Sequence, residues 1–407
     1  MKRAILVLLV VATLPSGLAV ARDVDPPQAE ATTTISGRGF GHGRGMSQYG
    51  AQGAAIAGKS VKQILDFYYP GTAVGKATGN VRIRLTADTT DGVRVVATNN
   101  LKVRDLKAGR VYTLPKASTR NEWSIDPSGD HGTKVSSFDA KKRTWTLWRT
   151  PKGMAQFEGP GVTALILPSG SHVGYRGILR ATDTADSHLD TVNVLSLETY
   201  LRGVVPREAL YTWRPAALQA QAVAARTYAV YHRKRSTNRA YDLCDTILCQ
   251  VYGGYGSEQA STNAAIAATA GQIRLYRSTP IIAEFSSSNG GATTPGDLPY
   301  QVQNVDSWDA YPGNRNPNAS WTVTRPTSQI QAAFGVGVLR SLKVTTRSGV
   351  GPGGGRVLRV EAVGINGTKK AMTGDQLRSK LSLRSGWFSF GPPDPSTLDI
   401  STDQETR

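Results

Sequence analysis

The chemistry open to this chain rests on its carboxylates. Glu208 lies in GVVPREALYTW, with Val204, Val205 and Leu210 close by and Trp213 five positions on. An apolar setting disfavours the charged form, so such a glutamate keeps its proton to higher pH and can act as an acid near neutrality. A glutamate at a helix end or on the surface is the plainer reading of the same residues. Glu198 and Glu284 are rival carboxylates open to the same two readings. Other templates are missing. HGRGMSQYG has a serine near a histidine, but no G-x-S-x-G nucleophile elbow occurs. There is no H-E-x-x-H zinc-hydrolase signature, and the glycine run near His42 lacks the βαβ unit and downstream acid of a dinucleotide site. No cofactor is expected.

Two further stretches could touch a ligand. GRGFGHGRGMSQYGAQGAA places five glycines around His42. Glycine serves where the backbone bends sharply or a ligand approaches it closely. The loop therefore either lets a flat ligand lie on its backbone amides or is pinned internally by its histidine. Cys244 and Cys249 stand in YDLCDTILCQVYGG. In an exported chain two close cysteines form a disulfide, whereas zinc would need more ligands and no histidine lies in this stretch. No metal is assigned. His131 and His172 read as surface or turn residues.

The elements that would position these residues follow from patterning. The chain has 407 residues, 39% of them hydrophobic, with a net charge of +18 from 48 basic and 30 acidic residues. The start reads as a signal peptide over residues 1–21: Lys2 and Arg3, an apolar run too short to span a membrane comfortably, then Ala19-Val20-Ala21. An uncleaved anchor is the alternative. No later apolar run is long enough to span, so the mature chain is expected to be secreted or in the cell envelope, with no membrane span. The basic residues are spread out, which with export argues against nucleic acid; a negatively charged envelope is one partner that fits, and charge that only keeps the protein soluble is the alternative.

Residues 22–79 hold a short strand, TTTISG, and the glycine segment, then a helical run from Gly53 with Val61, Ile64, Leu65 and Tyr68 on one face, stopped at Pro70-Gly71. Residues 80–185 are short β-type runs and read as an antiparallel all-β module with no chemistry of its own. Residues 186–325 hold the core with Glu208, an alanine-rich helix opened by Pro215 and running from Ala216 to Arg235, a second helix in STNAAIAATAG, and a hairpin ending in a polar loop. Residues 326–391 read as strand, strand, short helix, strand, and 392–407 as a flexible tail. The fold class is α+β, a mixed helical and β catalytic core with an inserted antiparallel β module.

Five stretches together resemble the stage II sporulation protein D family, which includes amidase enhancers. They are LETYLRGVVPREALYTWRPAALQAQAVAARTYAV, CQVYGG, AEFSSSNGGATT, GDQLRSKLSLRSGWF and GRGFGHGRGMSQYGAQGAA. The resemblance implies a lytic transglycosylase acting on peptidoglycan glycan strands, with Glu208 as acid and base. It implies Arg226, His42, Gln48, Ser287, Ser288 and Thr293 as substrate-binding residues and a cell-wall amidase as a possible partner. Two departures stand out. Leu248 occupies the position where some members carry a histidine that can support zinc. The glycine–histidine segment usually follows RSxWF but here precedes everything else, so the chain order looks circularly permuted. If so, Thr32–Gly37 must lie beside Trp387–Phe390.

Overall fold

The computed structural model describes residues 31–391, apart from 117, 130, 185–187 and 238–239. The expected signal peptide and tail lie outside the described residues. Among the described residues the protein is α+β, with seven helices and five sheets.

The helical run after the glycine segment divides into α1 (Gln48–Ile56) and α2 (Val61–Tyr68). It was expected as one run starting at Gly53. Two local features break it: Gly58 sits at φ +78°, a left-handed turn that ends a helix, and Ser60 caps α2 in a reciprocal box with Gln63. Helix α3 (Leu197–Glu208) is followed by α4 (Pro215–Arg235), with Pro215 in the first turn and four basic residues in the last. Ala217, Ala220, Ala222, Ala224, Ala225 and Ala229 of α4 are all fully buried. Such small side chains let α1, α2, α3 and α5 (Ala260–Ala268) approach it together, so α4 is the axis of the helical part. Helix α5 starts before the serine expected to cap it: Gln259 takes the cap position, and the Ser261 hydroxyl donates to the carbonyl of Tyr211 instead.

Most of the β structure forms one sheet of eleven strands. It is antiparallel except at one end, where Leu243–Cys244 runs parallel to Asn80–Arg84. Lys102–Asp105, Arg120–Pro127 and Thr133–Asp139 are three of its strands. The sheet takes in Leu189–Ser196, which leads directly into α3. Val81, Ile83, Val95 and Leu179 of the sheet share one apolar core with Leu201, Val204, Ala222 and Ala225 of α3 and α4.

A separate three-stranded sheet has Thr32–Gly37 at its centre, between Trp321–Pro326 and Phe388–Phe390, antiparallel to both. Ile35 faces Phe390 and Gly37 faces Phe388, so the two segments that the permuted order required to be neighbours are paired. Around this sheet lie α6 (Thr327–Phe334), the strands Leu339–Arg347, Val357–Gly364 and Lys369–Met372, and α7 (Gly374–Lys380). The strand Trp321–Pro326 and α6 were not expected from patterning. Gly37 is the joint between this sheet and the glycine segment. A Cβ there would stand 2.2 Å from the Trp321 ring and 2.5 Å from the carbonyl of Trp387. Gly37→Ala is therefore expected to cost about 1–3 kcal/mol, read as a lowered urea midpoint with an unchanged slope.

Candidate active site

Helix α3 ends at Glu208, where Ala209 turns to extended backbone. A carboxylate at a helix C-terminus faces the negative end of the dipole. Glu208 is partly exposed, and among the described residues two groups hydrogen-bond to it. The Val251 amide donates to Oε1 at 3.1 Å, and Gln48 Nε2 lies 3.4 Å from Oε2. Burial raises its pKa above the usual carboxylate value, opposed by these two hydrogen bonds and by the charge of Arg207. The apolar surroundings differ from those read in the local sequence. Val204 and Val205 face the core, and Leu210 is 54% exposed. The cover over Glu208 comes from elsewhere in the chain, from Gln48 on α1 and from the segment around Val251. That segment follows the disulfide between Cys244 and Cys249 and is held on the helices by Gln250, whose amide donates to the carbonyl of Ala225 and accepts from Tyr200. Trp213, just beyond Glu208, packs edge-on against Tyr49 at 5.1 Å, and the Arg214 amide donates to Gln52.

The rival carboxylates are committed to arginines. Glu198 takes both Nε and Nη2 of Arg226, each at 2.8 Å, and the Gly271 amide. Glu284 takes a forked pair from Arg44 and a further bond from Gln301. Burial, and next the charges of Glu284 and Glu208, raise the pKa of the Tyr228 phenol.

Gln48 reaches Glu208 because of what holds the start of α1. Ser47 caps α1 through the Gly50 amide and donates its hydroxyl to Asp309. The fully buried Asp309 also accepts from Ser288 Oγ, Asn316 Nδ2 and the amides of Asn289 and Gly290. Three residues earlier, Asp306 accepts from Tyr68 OH at 2.7 Å and Asn289 Nδ2 at 2.6 Å. The two acids thus tie α1, α2 and the SSSNGG loop into one unit.

The glycine segment lies against that loop. Gly39, Gly41, Gly43 and Gly45 all have positive φ. A Cβ at Gly43 would meet Arg356 at 2.2 Å, and one at Gly45 the Glu284 carbonyl at 2.0 Å. Its amides are spent inside the chain: Phe40 donates to the Ser288 carbonyl, Gly41 to the Arg384 carbonyl, Gly43 to Ser286 Oγ. Of the two readings of the bare loop, these hydrogen bonds favour the internal one. The bare backbone is needed for contact with the protein's own second loop. His42 Nδ1 accepts from the Arg44 amide, which leaves its proton on Nε2. Burial, and next the Arg44 charge, lowers its pKa to about 4, so the ring is neutral at pH 7.

Residues 185–276 match the family model described as Stage II sporulation protein. The chain is 31% identical over 223 residues to stage II sporulation protein D of Bacillus subtilis, a match that covers 49% of this chain and 62% of that protein. It is 32% identical over 234 residues to the protein of the same name from Bacillus amyloliquefaciens, covering 52% and 64%. Over these stretches the chain is similar to the stage II sporulation protein D family. It is also similar, at 37% identity over 136 residues, to an amidase enhancer of Bacillus subtilis, covering 32% of this chain and 17% of that protein. In each case the match covers less than two thirds of the relative. No solved structure matches the chain. The segment that matches the family model holds Glu208 and Val251, whereas Gln48 and the Asp306–Asp309 pair lie outside it.

Of the residues expected around the substrate, Gln48 is brought to Glu208. Ser287 is partly exposed, with its Oγ accepting from Asn318 and its carbonyl accepting from the Tyr49 amide. Ser288 and Thr293 are buried and bonded within the loops, Thr293 to the carbonyl of Val302. Arg226 is fully buried, and its nitrogens are taken by Glu198, Thr269 and the carbonyls of Ala222, Ile266 and Gln272. It therefore braces α3 and α5 against α4 and does not face Glu208. His131 contacts Asp183 on the exposed side of the sheet. The Asp306–Asp309 pair was missed. DSWDAYPGNRNPN reads as a polar loop, and nothing in it signals burial.

Burial, then the Asp309 charge, raises the pKa of Asp306 from 3.8 to about 7. Between those values the folded chain holds a proton that the unfolded chain has lost, so this stabilising term is full at low pH and fades as pH rises towards 7. Asp306→Asn should flatten that slope, measured as urea midpoints from about pH 4 to pH 7.5.

Proposed function

We propose that this chain cleaves the glycan strands of peptidoglycan as a lytic transglycosylase, with Glu208 as both acid and base. The observation that carries the reading is the sorting of the three carboxylates. Glu198 and Glu284 are neutralised by arginines, whereas Glu208 has no ion pair among the described residues and a raised pKa. A raised pKa enlarges the share of the carboxyl that carries a proton, and that proton can pass to a leaving sugar oxygen. The protonated Glu208 gives its proton to the glycosidic oxygen as the bond to the anomeric carbon breaks. The resulting carboxylate takes the proton of the same sugar's C6 hydroxyl, whose oxygen attacks the anomeric carbon and closes an anhydro ring. Glu208 ends protonated as it began, and no water is consumed. The Val251 amide and Gln48 hold the carboxylate while it is charged. In this reading His42, through Nε2–H, and Ser287 supply further contacts to the sugar. An address in the cell envelope suits this substrate.

A second reading is favoured by the similarity to the amidase enhancer: the chain binds wall and stimulates a separate amidase without cutting. Digestion of purified sacculi separates the two. Glu208→Gln is expected to lower release of anhydro-muropeptides by about a hundredfold or more while sacculus binding is kept. Undiminished release removes Glu208 from the mechanism, and binding without any release by the wild type favours the enhancer. The pH profile gives a second check. The rate should fall as pH rises through the raised pKa of Glu208. Gln48 favours the charged form, so Gln48→Leu should move this alkaline limb of kcat/KM to higher pH. A limb that stays in place would assign it to another group.

A further inference from the structure

The outer edge of the large sheet carries a second set of chemistry that Glu208 does not use. Thr144–Arg149 pairs only with Thr133–Asp139, which pairs with Arg120–Pro127 and then Val93–Val96. The register sets Leu147, Ser136, Ser124 and Arg94 in one row across the strands, Trp145 and Phe138 in the next, and Lys134 with Asp126 in a third. Opposed residues share a face, so all of these project from the same side. The other side carries Trp123, Ile125 and Val135, which are in the core. The projecting side is thus the solvent face of the sheet, and a tryptophan and a leucine 41% and 59% exposed are out of place there.

They form one wall of an open cavity of about 660 Å³. Ser124 and Ser136 make its floor, 1% and 7% exposed, and Arg94, Lys134 and Asp126 complete the lining. The Trp145 ring is held by Phe138, centroids 5.2 Å apart, and by the Arg94 guanidinium 5.3 Å from its centre. Arg94 Nη2 is bonded to Glu122, and its Nε is buried with no hydrogen-bond partner among the described residues. Volume and lining, with an apolar wall and a few convergent polar groups, suit a small-ligand subsite. The charges around it cancel, Arg94 and Lys134 against Glu122 and Asp126, so the fitting ligand is uncharged. An apolar face for the indole and Leu147, with hydroxyl or amide groups for Ser124, Asp126 and Arg94, describes a neutral pyranose ring.

We infer that the cavity walled by Trp145 and Leu147 is a glycan-binding subsite, taking one or two neutral hexose or hexosamine units of a polysaccharide. It is separate from Glu208 and stands whether or not the chain cleaves glycan. A second grip on an insoluble polymer raises the local concentration of glycan without new chemistry.

The test is titration of the full chain with the N-acetylglucosamine tetramer, following the indole N–H resonance of Trp145, assigned by its loss in Trp145→Phe. Saturable shifts by about 10 mM ligand are expected in the wild type and equally in Glu208→Gln. Leu147→Thr should weaken them about tenfold. The corresponding galacturonate tetramer, which is anionic, should leave the resonance in place. A resonance that neither sugar moves overturns the proposal, as does one unaffected by Leu147→Thr. Concentration-dependent self-association that Thr146→Pro abolishes, with no response to sugar, would show instead that the open edge takes a second protein strand.

Discussion

The site depends on one buried carboxylate that does no chemistry. Asp309 draws donors from the cap of α1 and from the SSSNGG loop, and in doing so fixes where Gln48 points. A charge in that position would be prohibitive without partners, and the cost falls because every donor around it faces inward. The glycines of the neighbouring segment serve the same end. Their missing side chains let two loops close to backbone contact, so the donors can reach. The loop that looked bare enough to receive a ligand is bare because it is one half of this joint.

Electrostatics then divides the acidic residues by task. Arg226 and Arg44 fix two glutamates as parts of the frame, while the carboxyl at the end of α3 makes no ion pair among the described residues and has its pKa raised by burial. Its environment is assembled from three distant stretches: α3, α1 and the segment following the disulfide. Environment rather than residue type separates acid from scaffold, as in any active site with several carboxylates.

Much of this was legible in the sequence, for definable reasons. The alanine pattern of α4, Pro215 at its start and the basic turn at its end are local signals, and local signals survive folding. The pairing of Thr32–Gly37 with Phe388–Phe390 was legible because an unusual chain order left one place for each. The neighbours of Glu208 left it level with Glu198 and Glu284, and the resemblance alone singled it out; its cover was not legible, since Leu210 turned outward and Gln48 arrived from 160 residues away. Arg226 misled for the same reason: a sequence shows the guanidinium and not the partner, and Glu198 is 28 positions upstream. Asp306 and Asp309 were invisible because aspartate among Asn, Pro and Gly is the ordinary composition of an exposed turn.

Because Thr32–Gly37 runs antiparallel to Phe388–Phe390, the beginning of one strand lies against the finish of the other, and the Gly391 amide is bonded to the carbonyl of Thr34. Polypeptide leading into the first and out of the second therefore departs from a single corner of the molecule. A tether on either side would hang the protein the same way round. Tension between the two would peel these strands apart one bond at a time, like a zip, rather than load all their bonds at once.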